Sequence, residues 1–483
     1  MQNKKIRLDF VEQNHIFSSE KNRNKRDDIY LFFIFMENSR EKFKQVFPDE
    51  HSLIVALHSQ NLEHALEGAK IAINNGAHGV ALVTHVLSPE SGIAFSMRIK
   101  EKIPYHKVLL NILQRDPYAF RNKNMQRDPK RIMKSINCTD IDGIWTDKSM
   151  IKGIDNIRDE EKYGDYADKT LQWQQENGRN KLYFGGLDFK HQKHLSPEEY
   201  PFAVEQAKKY LDVITTSGPS TGISADVEKV RKIKSLAGQH AVGLASGVTS
   251  ENIHEYIENT DISIVATGIS KDYRNLDPKK VAELAKIIEQ YNRKMDRKHF
   301  ETETLQKYKM TSVTELYKYL SKGEIINIGM HPEHNEAQKK LSNLYPSTFI
   351  LDGIEYASVE AFWMSIKYSE NDSRRREIRE LSGIKAKSAG RDAKPNKTLQ
   401  YQGKEIIIGS SEHHALMKRA IKAKLEQNPD ILQTLLDTGD KKLTHIVFTR
   451  HENEKFILHD SKTIPGEIFA QLYTELRDEL RSR

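Results

Sequence analysis

From Ser52 onward the chain repeats one pattern: a short apolar run, a polar amphipathic stretch of roughly 10 to 15 residues, then another short apolar run. The apolar runs predict strands at 53–57, 79–83, 107–110, 143–146, 181–185, 213–216, 241–245 and 262–266. Helical periodicity predicts helices at 62–74, 89–102, 201–209, 226–237 and 250–258. Eight strands with helical crossovers over about 240 residues are the number and size of a closed (β/α)8 barrel, with a doubly wound open sheet as the alternative.

Residues 1–50 are polar and charge-mixed, broken by the apolar run Ile29 to Met36, and read as an N-terminal extension. A last barrel helix is expected at 277–291, with Asp277 as cap and Pro278 in the first helical position. The segment 292–304 is charged without an apolar period and reads as a linker. A second region starts near Lys307, with helices expected at 358–368, 374–383, 410–427, 429–437 and 465–481 and short apolar pieces at 349–351, 405–408 and 444–448. The expected fold class is therefore α/β: a barrel at 51–291, a linker and leading helix at 292–324, and an α-rich α+β domain with a small sheet at 325–483.

Composition narrows the function classes. With 37% hydrophobic and 30% charged residues, the 483-residue chain can bury a core in each half. No apolar run reaches the length of about 18 to 20 residues needed to span a membrane, and the first residues lack the features of a signal peptide, so a cytoplasmic protein is expected. The single cysteine, Cys138, excludes an intrachain disulfide and a cysteine-rich metal cage. The net charge of +7 fits phosphate-bearing ligands and leaves a nucleic-acid partner open.

In a barrel, chemistry sits in the loops after the strands. After the sixth strand comes Ser217-Gly218-Pro219-Ser220-Thr221-Gly222, after the seventh Ser246-Gly247-Val248-Thr249, and after the eighth Thr267-Gly268-Ile269-Ser270. Glycines and hydroxyls there suit an anion met by backbone N–H groups, while ordinary turn glycines are the competing reading. Asp188 and Lys190 follow the fifth strand and would share one side if that strand continued, either as reactive groups or as a rim ion pair. Asn111 and Asp147 follow strands three and four, and His191 and His194 lack an anchored third ligand, so no metal site is assigned. The run LDVITTSGPSTG, followed by ADVEKVRKIK, GLASGVTSENI and IVATGISKD, resembles the BtpA family of TIM-barrel proteins over about residues 50–291. That resemblance implies the barrel and kinship with phosphate-binding barrels, and leaves the reaction open.

In the second region, Asp352-Gly353 marks a turn, and Ser358 can cap a helix whose first turn holds Glu360, followed by Phe362 and Trp363. Lys367 lies nearly two turns on, Gly390-Arg391 offers a guanidinium for phosphate, and Asp460 sits between His459 and Ser461 in a loop before the last helix. The segments LSNLYPSTFILDGIEYASVEAFW, IRELSGIKAKSAGRD, ALMKRAIKAKLEQNPDILQTLLDTGDKKL and HDS before PGEIFAQLYTELRDEL resemble the NADAR/YbiA-like family over about residues 325–481.

This second resemblance implies an N-glycosidase acting on an ADP-ribosylated or phosphoribosylated base or nucleotide, with a DNA or RNA adduct among the candidate substrates. The carboxyl pair would be Glu360 and Asp460. Asn343, Tyr345, Trp363, Lys367, Gly390, Arg391 and His459 would line the substrate site, Lys367 and Arg391 on phosphate and Trp363 or Tyr345 against a ring. The chain departs from the family pattern at Ala361, at Gly409, where YbiA-like members place Trp, and at Ile457-Leu458-His459-Asp460, where they have Trp-Gly-Asp-Gly. These departures favour a larger ADP-ribosyl substrate over the riboflavin-pathway intermediate. The chemistry requires no metal or redox cofactor, no membrane is expected, and a homo-oligomer stays open. Two other readings remain: a non-hydrolytic sensor of NAD-derived nucleotides, and a barrel enzyme that processes a phosphoribosyl group with the C-terminal domain as accessory. The barrel site residues would then be Asn111, Asp147, Asp188, Lys190, Ser217, Thr221, Gly247 and Gly268.

Overall fold

A computed structural model describes residues 39–59, 61–83, 89–111, 136–155, 165–177, 181–190, 192–391, 393, 398–450, 456–460 and 464–482. The apolar run 29–36, His191, Asp392 and Ser461 lie outside them. The chain divides into two compact units, Met1–Arg293 and Lys294–Arg483.

In the first unit, strands β1 (Ser52–His58), β2 (Gly79–Val83), β3 (Lys107–Asn111), β4 (Gly143–Thr146), β5 (Leu182–Gly186), β6 (Val213–Thr216), β7 (Ala241–Ala245) and β8 (Ile262–Val265) close a parallel barrel in sequence order. Register is continuous around it: Ile54 opposes Gly79 between β1 and β2, and Val55 opposes Val265 where β8 meets β1. The doubly wound alternative is thereby excluded. Helices α1 (Leu62–Asn74), α2 (Pro89–Lys102), α3 (Tyr166–Asn177), α4 (Tyr200–Tyr210) and α5 (Val227–Ala237) surround it.

Alternation along each strand sorts the core into two layers. Ile54, Ala81, Leu109, Trp145, Phe184, Val213 and Ile264 belong to the layer inside the barrel, while Leu53, Val80, Leu110, Ile214 and Val242 meet the helices outside. The N-terminal mouth is filled by the helical residues 39–46 and the turn after them: Phe43 and Phe47 are fully buried, with Phe47 edge-on to Phe184 at 6.5 Å. Arg40 pairs with Asp261 at 2.5 Å and Lys42 with Asp212 at 2.7 Å, fixing this plug to the starts of β8 and β6. The extension is thus part of the barrel from residue 39 onward.

Two expectations fail for local reasons. The helix expected at 250–258 is a pair of 3-10 turns, Ile253–Glu255 and Ile257–Asn259. The Asn252 side chain takes the Thr249 N–H and donates to the Gly247 carbonyl, competing with helical bonding. The expected linker 292–304 is instead helical, because α6 runs unbroken from Pro278 to Tyr308. Neither Gly nor Pro interrupts it, and Phe300, Leu305 and Tyr308 give its second half an apolar side.

The second unit carries helices α7 (Val313–Ser321), α8 (Glu336–Lys340), α9 (Val359–Ser365), α10 (Ser373–Arg379), α11 (Gly383–Ala389), α12 (Ser411–Gln427), α13 (Pro429–Leu436) and α14 (Gly466–Arg481). Among the described residues its strands form four separate pairs instead of one small sheet: β9 (Ile326–Asn327) with β14 (Leu443–Thr444), β10 (Phe349–Leu351) with β11 (Ile354–Tyr356), β12 (Thr398–Tyr401) with β13 (Lys404–Ile407), and β15 (Val447–Arg450) with β16 (Phe456–His459). Asp352 and Gly353 both take positive φ, as a two-residue hairpin turn demands. Among the described residues no helix is long and apolar enough to cross a membrane.

Candidate functional site

The barrel's C-terminal mouth is occupied by its own side chains. Phe189 is fully buried, belongs to the inner layer, and lies edge-on to Trp145 with ring centroids 6.2 Å apart. Asn111, last in β3, is buried beside them by register, opposite Trp145. Asp147 stands partly buried just beyond β4.

The expected pairing of Asp188 with Lys190 does not form, because β5 ends at Gly186 and Asp188 turns to φ 45°. The buried Asp188 carboxylate accepts from the Tyr200 hydroxyl at 2.5 Å and contacts His194 Nδ1 at 3.0 Å, with Lys229 Nζ at 3.7 Å. Burial, then the Asp188 carboxylate, pushes the Tyr200 hydroxyl above its usual range. His194 is thus a partner of Asp188, and no group of three His, Cys, Asp or Glu side chains converges as metal ligands among the described residues. Lys190 turns to the next loop: its N–H donates to Ser217 Oγ at 2.9 Å and its Nζ to Thr221 Oγ1 at 3.3 Å.

The loops after β6, β7 and β8 interlock. Ser246 Oγ accepts the Gly222 N–H at 3.0 Å, and Ser224 Oγ donates to the Gly247 carbonyl at 3.2 Å. A Cβ on Gly247, whose φ is 75°, would lie 2.3 Å from the Ile223 carbonyl oxygen, and one on Gly268 would lie 1.9 Å from that of Val248. Close packing between loops therefore accounts for both glycines.

In the second unit the Ser358 hydroxyl caps α9 by accepting the Ala361 N–H at 3.1 Å, placing Glu360 in the first turn. The Glu360 N–H donates to the Asn343 carbonyl at 3.0 Å, and its side chain is buried. Burial raises the carboxyl pKa, opposed by the ammonium groups of Lys387 and Lys367. Asn343 Oδ1 is buried without a hydrogen-bond partner among the described residues. The loop that carries Asn343 is held from behind: Lys424 Nζ donates to the carbonyls of Lys340 and Ser342, and the Tyr473 hydroxyl donates to that of Leu341.

Lys367 Nζ sits 5.0 Å over the Trp363 ring, and burial lowers its pKa. Trp363 is itself buried and packs against His413 at 4.9 Å, so Tyr345, partly exposed, is the aromatic available to a ligand. Gly390 has a packing role: a Cβ there would lie 2.6 Å from the Met364 side chain, so glycine lets the end of α11 close on α9. Arg391 is exposed just after it.

Asp460 and Glu360 have different immediate partners. Asp460 Oδ1 accepts the Gly466 N–H at 2.8 Å at the start of α14, and Asp460 lines a cavity of about 260 Å³ with His445, Tyr308, Thr304, Phe300 and Glu467. His445 Nδ1 lies 2.7 Å from the Ile328 carbonyl oxygen, and burial lowers its pKa against the pull of Asp460. Lys387 is the link, since its charge acts on both Glu360 and His445. His459 is partly buried and also has a lowered pKa, by burial and then by Arg297. Lys387, Lys424 and His445 were not singled out from sequence. Lys387 lies in the segment IKAKSAGRD and Lys424 in ALMKRAIKAKLEQNPDILQTLLDTGDKKL, whereas nothing local distinguishes His445.

The BtpA family model matches residues 160–292, and the model described as bacteriophage protein GP30.3 matches residues 336–465. The second unit therefore matches a different description from the NADAR/YbiA-like one expected. No curated protein matches the chain. Among solved structures it is similar to phosphoribosyl anthranilate isomerase from Thermus thermophilus, with 16% identity over 50% of this chain and 99% of that one and a TM-score of 0.33. It is also similar to tryptophan synthase subunit alpha from Legionella pneumophila, with 10% identity over 53% and 98% and a TM-score of 0.37. Thiamine phosphate pyrophosphorylase from Pyrococcus furiosus gives 13% identity over 52% and 98%, with a TM-score of 0.32. Similarity this low carries no functional argument. The first unit is a (β/α)8 barrel that is similar to the BtpA family over residues 160–292.

Proposed function

We propose that the second unit hydrolyses an N-glycosidic bond in an ADP-ribosylated or phosphoribosylated base or nucleotide, centred on Glu360. The observation that carries this reading is a buried carboxyl in the first turn of a helix, with its pKa raised by burial and restrained by two nearby ammonium groups. Such a group can hold a proton for a departing base and, once ionised, stabilise positive charge developing on the ribose ring. Lys387, Lys367 and the exposed Arg391 supply cations for phosphate oxygens. Asn343 Oδ1 is an acceptor for a ribose hydroxyl, and Tyr345 a surface for the base. Asp460 and His445, which line one cavity and are linked to Glu360 through the charge of Lys387, would direct the attacking water. Mass spectrometry of the purified chain incubated with NAD, ADP-ribosylated guanosine or DNA, and a phosphoribosylamino-pyrimidine tests this. Free base released from one class supports hydrolysis. Tight binding of ADP-ribose without turnover of any of them would make the unit a sensor.

A second reading places phosphoribosyl chemistry in the barrel. It is favoured by the exposed pairing of Lys190 with Thr221 among three interlocked loops at the C-terminal end of the strands. Turnover of a phosphoribosyl substrate that survives Glu360→Gln and is lost in Lys190→Ala would establish it.

A further inference from the structure

The turn after β8 is built around one carboxylate. Asp272 Oδ1 accepts the N–H groups of Arg274 and Asn275, both at 2.9 Å, and the Asn275 amide nitrogen lies within 3.0 Å of both carboxylate oxygens. These bonds hold the Asp272 pKa down to about 2. The Lys271 N–H donates to the Asn275 carbonyl at 2.8 Å, and Ser270 pairs with Leu276, so the turn is closed at its base. Its carboxylate is consumed internally, while Lys271 and Arg274 project from it, exposed and in no ion pair among the described residues.

Between this turn, the end of β1 and helix α1 lies a cavity of about 290 Å³. Ala56, Leu57, Ile71 and Leu276 give it apolar walls, and His58, His64, Tyr273, Lys271 and Arg274 give it a ring-bearing, cationic edge, with Glu67 as a further carboxylate. The His58 and Tyr273 rings pack at 5.1 Å with a tilt of 34°, yet Tyr273 remains 61% exposed, so a planar ligand can stack on it. An apolar floor with a few convergent polar groups is the usual make-up of a small-molecule site, and this volume is near the lower end of such sites, about 300 Å³.

We infer that this cavity is a binding site for a small phosphorylated heterocycle of nucleoside-monophosphate size. The ring stacks on Tyr273 over the apolar wall, and the phosphate is held by Arg274 and Lys271. The cavity uses the far part of the loop after β8, Ser270 to Leu276, and neither Lys190 nor Thr221 lines it; the inference does not depend on the second unit being a glycosidase.

Calorimetric titration of the full chain with adenosine 5′-monophosphate tests the inference. The same titration is run on Tyr273→Ala and on Lys271→Ala/Arg274→Ala, which change exposed side chains only. Binding to the wild type that weakens at least tenfold in both variants, and is likewise weaker for adenosine lacking the phosphate, is the expected result. No binding at millimolar nucleotide, or equal affinity in wild type and variants, would overturn it. The latter outcome would place the nucleotide elsewhere on the chain.

Discussion

The ammonium of Lys424 lies 2.9 Å from the carbonyl oxygen of Ser342, in the interior of the second unit, one residue before Asn343. Burial alone lowers its pKa to about 7. An unfolded lysine near pH 10.4 binds its proton over a range where the folded one has lost it, so this group makes stability rise as pH rises from about 7 toward 10. The slope is at most about 1.4 kcal/mol per pH unit. Denaturant unfolding of the wild type should show this gain between pH 7 and pH 9, and Lys424→Met should lack it. Equal pH dependence in the two proteins would refute the buried ammonium.

Removing Lys424 also leaves the carbonyls of Lys340 and Ser342 without that donor. A buried acceptor left unsatisfied costs about 1 to 3 kcal/mol. If the clamp positions Asn343, Lys424→Met should raise KM for the turned-over substrate more than it lowers kcat. Lys424→Arg puts a bulkier guanidinium at a fully buried position and should not rescue it.

Buried histidines set an acid limit. Burial lowers the pKa of His51 and His240 in the barrel and of His413 beside Trp363 to about 4. A folded pKa below the unfolded value of about 6.5 means that stability is complete above pH 6.5 and is lost as pH falls toward 4. The denaturation midpoint should fall between pH 7 and pH 5. His51→Asn, which also removes the contacts to Thr260 and Ser263, should lower stability at pH 7 and flatten the acid loss of the barrel.

The interlocked loops predict that Gly268→Ala is costly, because its Cβ would meet the Val248 carbonyl at 1.9 Å. A loss of about 1 to 3 kcal/mol is expected from such overpacking. Thermal unfolding of the barrel measures it, and an unchanged melting temperature would show that the loops can separate freely.

Much of the fold was readable because each barrel strand is a short apolar run ending in a polar loop, and period-two alternation in a closed barrel leaves few other arrangements. The interruption at 292–304 misled because Phe300, Leu305 and Tyr308 are too sparse among charges to show a period, although they pack in the second unit's core. Asp188 misled for another reason: its direction depends on a positive φ that no neighbour in sequence dictates, and its partners Tyr200 and Lys229 come from α4 and α5. Glu360 was legible from its Ser358 cap. Its surroundings were not, because the charge of Lys387, on a different helix, reaches it through tertiary packing alone. The carboxyl pairing of Glu360 with Asp460 rested on resemblance, and in the structure a hydrogen bond ties Asp460 to the start of α14.

The most direct test of the central claim is hydrolysis in ¹⁸O-labelled water by the wild type and by Glu360→Gln. Free base should appear with one ¹⁸O in the ribosyl product, and Glu360→Gln should slow its release by at least about 100-fold at an unchanged melting temperature. Equal release by both proteins, or none from any of the ADP-ribosyl and phosphoribosyl substrates by a folded wild type, would contradict the assignment of Glu360 as the glycosidic acid.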